Sequence, residues 1–137
     1  MSTALDLLLP SLKTEEGFRA TKYTDTQGHT SIGYGWNIDA GISPFAASAL
    51  LTAQVQELEQ ALMRIPWYVQ LDPVRQRVCL DIAFNDGLSG LLAFPSMIHY
   101  LSIGDWFNAA AQCRVKNLEL GPRYAVLAHM LLTGSTT

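Results

Sequence analysis

Two carboxylates and a hydroxyl stand at spacings that chemistry could use. Glu16 is followed at once by Gly17, Asp25 comes nine residues later just before Thr26-Gln27-Gly28, and Ser31 follows six residues beyond that. Two acidic side chains placed across a glycosidic bond can hydrolyse it. One protonates the leaving oxygen, and the other manages the water or the oxocarbenium-like charge at the anomeric carbon. A hydroxyl near the second carboxylate can position that water. Each residue also has a plainer reading. Glu16 could be a solvated acid in a last helical turn, although an acid there faces the unfavourable end of the helix dipole and its neighbour Glu15 suits that role better. Asp25 could simply close an Asx-type turn, and its local sequence alone favours that reading. Ser31 could be an ordinary strand serine.

The flanking residues predict the elements that must hold these groups. Leu5, Leu8, Leu9 and Leu12 recur at helical spacing, so a helix is expected to run down to Glu16 and stop at Gly17. Pro10 predicts either a kink in that helix or a restart near the proline. Residues 22–38 change texture: Tyr23, Thr24, Thr30, Ile32 and Tyr34 are β-formers, and Gln27-Gly28 signals a turn. This predicts a hairpin or a three-stranded meander, the one β region expected, which needs something to pack on.

The remainder reads as helical. Ser43-Pro44 opens a helix whose Leu51, Val55, Leu58 and Leu62 form one stripe. Asp72-Pro73 opens another, with Val74, Val78 and Ile82 a turn apart and an end near Gly87. Further starts are expected at Pro95, after Asp105 and after Gly121-Pro122. The fold class predicted is α+β, mostly α. A small β lobe covers about residues 22–38, a larger helical lobe covers about 43–134, and a cleft between them could seat a polysaccharide.

Composition narrows the function classes. At 137 residues, 49% of them hydrophobic and 15% charged, the chain reads as one domain, 1–137, with a real core rather than a disordered segment. No apolar run approaches the ~18 residues of a membrane span, so no membrane insertion is expected. The N-terminus lacks the features of a signal peptide. Cys79 and Cys113 sit in predicted helices with no CxxC spacing and are expected to be buried thiols rather than a bridge. His29, His99 and His129 lie far apart, so neither a metal nor a cofactor is expected. The formal charge of −3 gives no reason to invoke nucleic acid. A local basic patch from Arg114, Lys116 and Arg123 is the exception the sequence allows.

The strings Glu16-Gly17-Phe18-Arg19, Tyr23-Thr24-Asp25-Thr26-Gln27-Gly28 and Ser31-Ile32-Gly33-Tyr34-Gly35 resemble the signature of phage-type lysozymes, the glycoside hydrolase family 24 endolysins. The likeness continues through Asp72-Pro73-Val74-Arg75, Ala83-Phe84-Asn85-Asp86-Gly87, Gly104-Asp105-Trp106, Arg123 and Thr133-Gly134, spanning about residues 8–134. It implies catalytic positions at Glu16, Asp25 and Ser31, the last being Thr in the family pattern. It implies that Arg123 pairs with the catalytic glutamate and that Tyr23, Gly33 and Gly35 line the cleft wall. Asn85 matches a polar cleft position, or is a polar residue near a helix end. Two departures stand out. Trp36 replaces a frequent histidine, and Val115-Lys116-Asn117 lacks an expected aromatic.

The resemblance implies a cofactor-free, monomeric muramidase that cuts the β-1,4 bond from N-acetylmuramic acid to N-acetylglucosamine in peptidoglycan glycan strands and lyses a host cell. Made in the host cytoplasm, such an enzyme would need a pore to reach the wall, or would travel with the virion. Two alternatives stay open: a lytic transglycosylase, which needs one essential acid, and a catalytically silent wall-binding module.

Overall fold

A computed structural model describes residues 1–116 and 121–137; Asn117, the end of the stretch expected to lack an aromatic, lies outside them. The chain divides into two compact units, Met1–Ser48 and Ala49–Thr137.

The first unit begins with α1 (Ala4–Glu16). Thr3 caps it in a reciprocal box: its hydroxyl accepts from the Asp6 N–H at 3.1 Å, and the Asp6 carboxylate accepts from the Thr3 N–H at 2.9 Å. That cap starts the helix well before Pro10, which lies inside it, so the restart expected at the proline does not occur. α1 stops where Gly17, at φ 68°, donates its N–H to the Lys13 carbonyl at 3.1 Å.

An antiparallel sheet of three strands follows in the order β1 (Arg19–Thr24), β2 (Thr30–Gly33), β3 (Trp36–Asn37). The meander reading was right, with β1 beginning three residues earlier than residue 22. Tyr23 faces Ser31 and Thr24 faces Thr30, while Arg19 faces Gly33, so β1 bulges between Arg19 and Tyr23. A 3₁₀ turn over Ile38–Ala40 follows β3, and its Asp39 carboxylate accepts the Thr30 N–H at 2.9 Å, tying the turn back to β2.

The second unit is helical. The division falls inside α2 (Pro44–Leu62), whose start is capped by the Ser43 hydroxyl accepting from the Ala46 N–H at 3.1 Å. Of its predicted stripe, Leu62 is fully buried and Leu51 exposed. Then come α3 (Pro66–Val69), α4 (Pro73–Leu92), α5 (Pro95–Ser102), α6 (Trp106–Val115) and α7 (Arg123–Thr133). The short α3 was not predicted; a first-turn proline, Pro66, was its signal. α4 breaks at Gly87, where the expected end lies, and resumes to Leu92.

Among the described residues every buried apolar side chain lies in this unit, including Val78 and Ile82 of the predicted α4 face. The fold is α+β and mostly helical, with a small three-stranded sheet near the N-terminus. Among the described residues, no single helix is long and apolar enough to cross a membrane.

Candidate active site

Glu16 is the last residue of α1, and the turn after β2 brings Gly35 against it. A Cβ added to Gly35 would lie 2.9 Å from Glu16 Oε2, so only a glycine lets the backbone pass this close to the carboxylate. Gly35 also holds φ 80°, a conformation that side chains disfavour. A pocket of about 350 Å³ opens here, lined by Leu9, Leu12, Lys13, Glu16, Tyr34 and Gly35. Burial beside apolar groups is what raises a carboxyl's hold on its proton, and Glu16 itself is exposed. Its surroundings are nonetheless mixed: two leucines and a tyrosine ring, with the Lys13 ammonium 5.8 Å from the Tyr34 ring centre.

Asp25 sits at the mouth of the β1–β2 turn and closes it in the Asx manner. Its Oδ1 accepts the N–H groups of Gln27 and His29, each at 2.9 Å, the Asx-type geometry. Its Oδ2 faces His29 Nδ1 at 3.6 Å. The hydrogen bond from the His29 N–H is the main cause that holds this carboxyl below the usual carboxylate range; the Gln27 N–H and the imidazole act the same way, and slight burial opposes them. Asp25 is therefore a fixed anion, the state needed in a base or a stabiliser of positive charge.

Ser31 is buried at 3% exposure on the central strand, between Tyr23 on β1 and Asn37 on β3. Tyr23 is half-buried, with the Arg19 guanidinium 4.4 Å from its ring centre. Gly33 ends β2 opposite Arg19. All six of these predicted residues, Glu16, Tyr23, Asp25, Ser31, Gly33 and Gly35, belong to the first unit.

Asn85 and Arg123 belong to the second unit and meet each other there. The Arg123 guanidinium donates to Asp81 through Nε at 2.6 Å, forms a second, closer contact to the same carboxylate, and reaches Asn85 Oδ1 at 3.2 Å. The Asn85 amide in turn donates to the Asp81 carbonyl at 2.7 Å and carboxylate at 3.1 Å. Asp81 is the member that sequence reading missed; its place one helical turn before Asn85 was the available signal. The missed feature in the first unit is the packing of Gly35 on Glu16, which spacing alone cannot show. Cys79 and Cys113 are buried free thiols, and burial pushes both up to about 12. Among the described residues no cluster of His, Cys, Asp and Glu is placed to hold a metal ion.

The phage lysozyme family model matches residues 13–127, which takes in every one of these positions. The chain belongs to the phage lysozyme family. As a phage lysozyme it falls among glycosidases that hydrolyse peptidoglycan. No curated protein matches it significantly.

Proposed function

We propose that this phage lysozyme is an endolysin-type muramidase, hydrolysing the β-1,4 bond between N-acetylmuramic acid and N-acetylglucosamine and so lysing a host cell. Glu16 is the general acid that protonates the glycosidic oxygen. Asp25, with the Ser31 hydroxyl, manages the water and the positive charge developing at the anomeric carbon. What carries the reading is the family match over residues 13–127, which takes in both carboxyls. Asp25 has its Oδ1 held by two main-chain N–H groups, and Glu16 lines a pocket with Leu9, Leu12 and Tyr34 against the Gly35 backbone. Two carboxyls are what glycoside hydrolysis needs, one to donate a proton and one to manage water or charge.

The experiment is clearing of Gram-negative cells stripped of their outer membrane, followed by analysis of the products. Glu16→Gln keeps shape and removes the transferable proton, and general acid catalysis supplies ~10²–10⁴-fold. Clearing is expected to fall by at least about 100-fold. A wild-type rate from Glu16→Gln ends the assignment. Reducing ends on the products mark a hydrolase; anhydro rings would mark a transglycosylase.

A further inference from the structure

We propose that His29 is a positioning residue for Asp25, holding one carboxylate oxygen through its main chain and facing the other with its ring. The inference rests on the reading of Asp25 as the working carboxylate. Four residues separate the two, and the tight turn between them, closed by the Asp25 N–H donating to the His29 carbonyl at 2.8 Å and the Gly28 N–H to the Asp25 carbonyl at 3.1 Å, folds the histidine back over the aspartate. Its N–H donates to Oδ1 at 2.9 Å and its Nδ1 lies 3.6 Å from Oδ2. The main-chain bonds alone would leave Oδ2 free to swing. A ring on that side selects one orientation and, when protonated, adds a cation beside the anion.

Of the other charged groups of the turn's neighbours, two are engaged elsewhere. Asp39 of the 3₁₀ turn holds the Thr30 N–H, and Arg19 of β1 lies over the Tyr23 ring. Lys22 of β1 is exposed. Among the described residues, Asp25 is the ionic partner of the His29 ring. Both side chains keep contact with solvent, His29 at 48% and Asp25 at 33%.

His29→Gln retains the main-chain bond and removes the cation; His29→Lys retains a cation of different shape. A misplaced reacting group costs rate more than substrate affinity. His29→Gln is expected to lower kcat by roughly three- to tenfold with KM nearly unchanged. It should also move the acidic limb of the pH–rate profile to higher pH, because loss of a neighbouring positive charge makes Asp25 easier to protonate. His29→Lys should return that limb toward its wild-type position.

A His29→Gln profile that overlays the wild type at every pH overturns the proposal. So does a rate loss that is uniform with pH and matched by a lower melting temperature, which is the mark of a turn residue alone. Asp25→Asn, measured alongside, separates the two ideas. If it stays fully active, the reading of Asp25 has failed. If it is inactive while His29→Gln behaves as wild type, only the role of His29 has.

Discussion

At Gly35 the main chain and the carboxylate of Glu16 share the same few ångströms. Replacing Gly35 by alanine should therefore do two separable things. It forces a side chain into a left-handed conformation, costing about 1–2 kcal/mol, and it places a methyl group 2.9 Å from Glu16 Oε2. The carboxylate is the end of a flexible side chain, so it moves aside, and the candidate proton donor loses its position. Gly41→Ala is the control, since φ there is 80° and a Cβ would meet nothing within 4 Å. Both variants should lose similar stability in a melting experiment. Only Gly35→Ala should also lose activity, by about tenfold or more; equal activities would show that Gly35 is there for the turn alone. Ser31 gives the companion test. Ser31 is buried on the central strand, so Ser31→Ala should cost some stability, and its clearing rate, measured well below its melting temperature, should still fall several-fold if the hydroxyl serves the reaction. The types and spacing of Glu16, Asp25 and Ser31 were legible through the family signature that surrounds them, since the local sequence of Asp25 alone favours a turn residue. The double duty of Asp25, at once turn former and fixed anion, was not, because the hydrogen bonds that join the two readings exist only once the turn has closed.

Among the elements, α7 depends on a single arginine from α4. Buried Arg75 donates from Nε to the Leu131 carbonyl at 2.8 Å and from a terminal nitrogen to the Leu132 carbonyl at 3.3 Å, capping the helix C-terminus. Its other arm holds Asp72 at 2.9 Å, and its plane lies 3.9 Å from the Trp106 ring centre. Lysine cannot reproduce this fork and stack. Arg75→Lys should thus destabilise the protein by roughly 1–3 kcal/mol, read from the urea midpoint, because buried carbonyls lose donors. A loss below the error of the measurement would show that water replaces the guanidinium.

Acid should act on the same scale. At Asp72 burial pushes the carboxyl up, but the Arg75 side-chain and main-chain bonds outweigh it and hold it low, as the His29 N–H does at Asp25. Folded values below the usual 3.8 mean that the unfolded chain binds more protons as pH falls past that point. Their stabilisation is complete above the unfolded value and is lost progressively below it, so denaturation midpoints should drop on titration from pH 5 toward pH 2. Element starts at Ser43, Asp72 and Asp105 were readable because caps are local chemistry. The resumption of α4 after Gly87 was not, since neighbouring turns outweigh the single residue that argues for a stop, and at Pro10 the sequence left a kinked helix and a restart both open.

For the molecule as a whole, the sign of its charge sets how it should meet its substrate. A basic lysozyme gains encounters with an anionic wall from long-range attraction, which salt screens with a Debye length of ~10 Å at 0.1 M. This chain carries a net −3. Of the three residues that could make a local basic patch, Arg123 is matched by the Asp81 carboxylate, so its charge is largely cancelled where it stands. Lys116 lies with its ammonium 5.6 Å from the Phe94 ring centre, and Arg114 is exposed in the last turn of α6. What is left is too little to outweigh the total. Initial clearing rates should therefore stay level or rise as salt increases from low to physiological strength, because screening removes repulsion rather than attraction. Asp81→Asn sharpens the test: it frees the charge of Arg123 and takes the net charge toward zero, so this variant should clear faster than the parent at low salt and lose that advantage as salt is added. A steep, monotonic fall in the parent's rate would mean that local cations govern wall binding despite the acidic whole.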